Sequence, residues 1–119
     1  MRLNHLMLIV RNLAQSSDWY VSKLGLKVEF EVPEIKFAAL EDDSGFGFLL
    51  QEGQISGDPA ANIAIYFEAD DVDELHHRLE QLGVAFDHAP RKNVWGYGPQ
   101  LKDPNGYLLR VFDHRSVTK

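Results

Sequence analysis

The 119-residue chain contains no cysteine. That single absence excludes disulfides, thiolate metal sites and cysteine nucleophiles, and it suits a reducing cytoplasm. An excess of positive charge is also missing: 12 Lys and Arg stand against 18 Asp and Glu, for a net charge of −6. The clustered basic face that a nucleic-acid partner requires is therefore not expected. The apolar stretch of the N-terminus, MRLNHLMLIV, runs for only about seven residues before Arg11, too short to span a bilayer. It lacks the small-residue cleavage site of a secretory signal, so it reads as a buried first strand of a cytoplasmic protein with no membrane partner. Low-complexity tracts, long linkers, a Ser-His-Asp order, a phosphate-binding glycine loop and a zinc-protease motif are absent too. What remains is ordinary globular composition, 45% apolar and 25% charged. It predicts one domain over 1–119, small enough that a homodimer partner is a natural way to cover apolar surface.

The chain contains itself twice. HLMLIVRNL (5–13) and AIYFEADDV (64–72) are each an apolar strand ending in a polar pair, Arg11-Asn12 or Asp70-Asp71, before a helical pattern begins. In the second helix Val72, Leu75, Leu79 and Leu82 recur at three- and four-residue steps. Asp71 and Glu74 have the spacing of a capping box, and Gly83 supplies the stop. The first helix has Asn12 as N-cap, Gly25 as stop, and Leu13, Trp19, Tyr20 and Leu24 on its buried side. Three strand-like runs follow each helix: 27–32, 36–41 and 46–51, then 84–89, 98–103 and 107–112. Asp42-Asp43-Ser44-Gly45 and Asp103-Pro104-Asn105-Gly106 are matching turns before the last strand of each set. The repeat units span about 1–53 and 62–114, at an offset of about sixty residues. The predicted fold class is α+β, two βαβββ repeats.

The HLMLIVRNL opening, the WYVSKLGL helix end, DDVDELHHRLEQLGV and DPNGYLLRVFD, in that order, resemble the vicinal oxygen chelate superfamily. This is the group of glyoxalase I, bleomycin-resistance proteins and extradiol dioxygenases. The resemblance covers almost the full length. It implies a U-shaped, mixed-sheet half-barrel cleft between the repeats, usually in a dimer. In metal-dependent members four side chains, one from the first and one from the last strand of each unit, hold a divalent ion that the substrate chelates.

Counting through the repeat puts those four positions at His5, Ala64, Leu49 and Arg110. Only His5 is a ligand, and a guanidinium cannot coordinate. The resemblance is therefore closest to metal-free, bleomycin-resistance-like members, with no cofactor expected. The alternative is a divalent metal ion on His5 with Gln51 or Glu52. Arg110, on a strand flanked by apolar residues, holds an anionic or carbonyl-bearing ligand or pairs internally with Glu68, Glu52 or Asp113. Leu108 and Phe112 share its face. Tyr66 follows Ala64 by two residues onto the same face, and Trp95 and Tyr97 sit on a Gly-rich loop or bulge before the seventh strand. Phe30, Phe37, Phe46 and Phe48 are core or cleft wall. His76 and His77 are adjacent on a helix and read as solvated surface. His88 and His114 have no role assigned.

The predicted function is a small-molecule-binding protein enclosing an aromatic or acidic ligand. Its predicted contacts are His5, Leu49, Gln51, Ala64, Tyr66, Trp95, Arg110 and Phe112. The competing readings are a metal-dependent lyase, isomerase or dioxygenase, and a metal-free acid-base enzyme using His5 or Tyr66. The residues leave open whether any reaction is catalysed.

Overall fold

A computed structural model describes residues 1–114. The chain divides into two compact units, one ending at Gly57 and the other beginning at Asp58. Each has the βαβββ order read from the sequence. The first contains β1 (His5–Val10), α1 (Leu13–Leu24), β2 (Lys27–Val32), β3 (Phe37–Glu41) and β4 (Gly47–Glu52). The second contains β5 (Ala64–Glu68), α2 (Val72–Gln81), β6 (Phe86–Asn93), β7 (Gly96–Lys102) and β8 (Leu108–Phe112). Both sheets have the same strand order, β1-β4-β3-β2 and β5-β8-β7-β6. The first and last strands of each unit pair in parallel, and the other pairs are antiparallel. No described helix is long and apolar enough to cross a membrane.

Period-two alternation sorts the strands into faces. In the first unit Leu8 and Val10 of β1, Leu40 of β3 and Phe48 and Leu50 of β4 are buried, and α1 buries Ser16 and Tyr20. The Tyr20 ring lies 4.8 Å from that of Phe48. Trp19, expected inside, is only half-buried and stands edge-on to Tyr20. In the second unit Ile65, Val72, Leu79, Leu101, Leu109 and Val111 form the core. His76, read as solvated surface, instead packs its ring 4.6 Å from Phe86 while reaching Glu80.

The caps repeat as faithfully as the strands. Asn12 Oδ1 accepts from the Gln15 N–H, and Asp71 Oδ1 accepts from the Asp73 and Glu74 N–H groups. Each helix also receives a carboxylate from the end of its unit's last strand. Glu52 accepts the Leu13 N–H at 2.9 Å, and buried Asp113 accepts the Val72 N–H at 3.4 Å. These N–H groups have no partner within the helix, and a negative charge there complements the helix dipole. The turns match as well. Asp42 accepts from the Ser44 and Phe46 N–H groups, as Asp103 does from those of Asn105 and Tyr107.

Hydrogen bonding from Leu13 and Lys36 holds the Glu52 carboxyl below its ordinary range. A lowered carboxylate contributes stability that is complete above the unfolded-state value of 4.5 and is lost as pH falls through the lower folded value. Glu52→Gln should therefore flatten the acid limb of the stability profile. Urea unfolding of both proteins between neutral and acid pH checks this; parallel profiles would contradict it.

One stretch departs from the sequence reading. The Gly-rich segment 93–99, expected as a loop or bulge, instead belongs to a β6–β7 hairpin with Val94 and Trp95 as its two-residue turn. Pro90 is tolerated within β6 because this is an edge strand whose register shifts between His88 and Arg91. Gly96 takes the positive φ of 131° that the turn exit requires. The Asn93 amide donates to the Arg91, Gly96 and Gly98 carbonyls and ties the hairpin together.

Candidate functional site

The second sheet carries one row of four polar side chains across all its strands. Tyr66 on β5 pairs in register with Arg110 on β8, Arg110 with Gln100 on β7, and Gln100 with His88 on β6. Cross-strand partners share a face, so the row forms a continuous surface on the side away from Leu109 and Val111. The register shift between Phe86 and His88 lets neighbouring Asp87 also reach Gln100.

Arg110 is held in one orientation. Its Nε donates to Gln100 Oε1 at 2.9 Å and its Nη1 to the Tyr66 hydroxyl at 2.5 Å. Gln100 is fixed in turn by donating to Asp87 Oδ2 at 3.0 Å, and that oxygen also takes Lys102. Burial works against ionisation of Asp87. The hydrogen bonds from Gln100 and Lys102, with attraction to Lys102 and His88, outweigh it and lower the carboxyl below its ordinary range. Trp95 stands over this network from the hairpin tip. Its ring is 5.4 Å from the Arg110 guanidinium carbon, 5.8 Å from the Tyr66 ring at a T-shaped angle, and 6.5 Å from the His88 ring.

The internal ion pair considered for Arg110 does not form within this unit. Glu68 takes His114 at 3.0 Å, Asp113 takes the Val72 N–H, and Asp87 takes Gln100 and Lys102. Among the described residues of the second unit, no carboxylate lies against the guanidinium. Two of its five N–H donors are used on neutral partners, leaving three for a ligand.

Of the sequence-predicted residues, the structure brings Tyr66, Trp95 and Arg110 together. Ala64 and Phe112 lie on the same face, two residues along their strands from Tyr66 and Arg110. Tyr97 belongs to the opposite face, its hydroxyl 2.8 Å from Asp73 on α2. Gln100 and His88 were not singled out by sequence.

In the first unit the equivalent row is apolar: Met7, Leu49, Ala39 and Phe30. His5 opens β1 opposite Gly47, and its imidazole fills the space where a Cβ at Gly47 would be. The Gln51 amide donates to the Ile35 carbonyl at 2.7 Å. The alternative metal set fails on geometry. Gln51 and Glu52 are adjacent on β4 and so face opposite ways, with Glu52 turned to the start of α1. His5 and Gln51 share a face, but Gln51 is four residues along β4 from Gly47, about 13 Å away. No group of three or more His, Cys, Asp or Glu suited to a metal occurs among the described residues.

A groove of about 380 Å³ also opens between α1 and β2–β3, lined by Leu13, Ala14, Val21, Val28 and Ala38 with Asp18 and Glu31. It has no convergent donors comparable to the Arg110 row.

The model of the Glyoxalase/Bleomycin resistance protein/Dioxygenase superfamily matches residues 2–111. The uncharacterized protein YraH of Bacillus subtilis (strain 168) is 22% identical, over 94% of this chain and 98% of that one. Among solved structures, the antibiotic-binding protein TnmS3 of Streptomyces sp. CB03234 superposes with a TM-score of 0.80 at 20% identity, over 95% of each chain. The fosfomycin resistance protein FosX of Listeria monocytogenes does so with 0.79 at 20% identity, over 95% of this chain and 93% of that one. These likenesses establish the α+β fold of paired βαβββ units. The chain belongs to the Glyoxalase/Bleomycin resistance protein/Dioxygenase superfamily.

Proposed function

We propose that the protein binds a small organic acid with an aromatic body on the second sheet, without a metal ion, in the manner of the resistance-type members of its superfamily. The observation that carries this reading is Arg110. A half-buried guanidinium with neutral partners, and with no carboxylate against it among the described residues of its unit, lacks a counter-charge that an anionic ligand would supply. The Gln100 and Tyr66 bonds set its direction before the ligand arrives, which lowers the entropy lost on binding. Trp95 offers a flat apolar wall for the ligand's body. Sequestration asks for no nucleophile or acid-base pair. The antibiotic-binding protein TnmS3 and the fosfomycin resistance protein FosX share this fold, which supports a small-molecule-binding or resistance-type role.

The test is a calorimetric titration with 2-naphthoate and its neutral isostere 2-naphthamide. The acid should bind at least about tenfold more tightly, the worth of one charge-assisted contact. Equal affinity for acid and amide, or binding that appears only with a divalent metal, would contradict the reading.

A further inference from the structure

The Arg110 row does not end at the anion anchor; its other end is His88. His88 Nδ1 lies 2.7 Å from the Ala89 carbonyl oxygen. A carbonyl only accepts, so Nδ1 carries the proton, and in the neutral ring Nε2 is left with a lone pair. The ring is half-buried on the Arg110 face, tilted 34° against Trp95. Across the sheet the sequence of functions is a hydroxyl (Tyr66), a cation (Arg110), a committed amide (Gln100) and an acceptor (His88). The Gln100 amide is spent on both sides, by Arg110 and by Asp87. The open polar groups are therefore a cationic donor at Arg110 and, in the neutral form of the ring, an acceptor at His88, two strands apart with about 10 Å between their backbones. Trp95 touches both ends.

We propose that His88 and Arg110 together select a two-ended ligand: a planar aromatic acid whose carboxylate meets Arg110 and whose far end carries an N–H or O–H that donates to His88 Nε2. This rests on the reading of Arg110 as an anion anchor and adds to it a second polar contact and a length. A bound aromatic ring would cover the half-buried acceptor, so analogues lacking the donor leave its lone pair unmet and bind less well. His88 is a specificity residue, and no bond is made or broken.

Indole-5-carboxylate carries its N–H across the ring from the acid, and benzofuran-5-carboxylate replaces that N–H by an oxygen at almost the same size. Titrated into the full-length protein, the indole acid should bind about tenfold more tightly than the benzofuran acid. In His88→Phe, which keeps a flat ring beside Trp95, the two acids should bind alike. His88→Gln, which keeps an acceptor, should recover part of the preference. Thermal unfolding of both variants establishes that they are folded. Equal affinity of the two acids for the unaltered protein, or a preference that survives in His88→Phe, overturns the proposal. If the acids still bind by way of Arg110 in that case, the reading of the anchor stands. If neither acid binds, both readings fail.

Discussion

Gly98→Ala is expected to lower the unfolding free energy by about 3 kcal/mol or more, at the upper end of what overpacking costs. A Cβ built at Gly98 falls 1.6 Å from the Val111 carbonyl oxygen and 2.8 Å from its carbon. Those atoms are backbone of β8, the strand that also carries Arg110, so relief requires moving the strand and not a side-chain tip. Leu109 and Val111 on that strand are buried in the core and resist such a shift. Thermal unfolding should show a loss of roughly 10 °C. A midpoint within a few degrees of the unaltered protein would mean that β8 is free to move, and that Arg110 is less firmly placed than described.

Arg110→Met should weaken 2-naphthoate binding by about 100-fold, the loss of a charge-assisted, multiply hydrogen-bonded contact. Met keeps the length of the apolar stem and removes the charge. Folding should survive, because the freed groups, Tyr66 Oη and Gln100 Oε1, belong to residues that are exposed or half-buried and reach water. Arg110→Lys should fall between, since an ammonium keeps the charge but cannot bond Gln100, Tyr66 and a carboxylate in one plane. Calorimetric titration of the three proteins reads this order directly. Binding that is unchanged in Arg110→Met would place the anion elsewhere.

Most of the fold was legible because the duplication states it twice. Asn12 and Asp71, Gly25, the Asp42 and Asp103 turns and the alternation of β1 and β8 each act through contacts within a few residues, where sequence patterns are informative. The hairpin tip was not legible. The glycines around Trp95 and Tyr97 read as a loop or bulge, and only the pairing of β6 with β7 shows a hairpin there, with a register shift beside Pro90. Tyr66 was picked out by strand parity from Ala64, and Arg110 by counting equivalent positions through the repeat. Gln100 was within reach too, since the hairpin closed by the Asp103 turn places it opposite Arg110. His88 lay beyond reach, because a register shift in β6 on each side of it breaks the parity that would give its face. Glu52 misled for a related reason. Its number suits a metal site, but its carboxylate is committed to the first N–H of α1.

The duplication also lets the two sheets be compared row by row. One row position by position is Met7, Leu49, Ala39 and Phe30 in the first unit, and Tyr66, Arg110, Gln100 and His88 in the second. The strand order is the same, and the row is apolar in the first unit and polar in the second. In the proposed function the Arg110 charge is what recognises the ligand. Its most direct test is a cycle of four titrations, 2-naphthoate and 2-naphthamide into the unaltered protein and into Arg110→Met. Preference for the acid should be present in the first protein and gone in the second; a preference that persists without the guanidinium would contradict the claim.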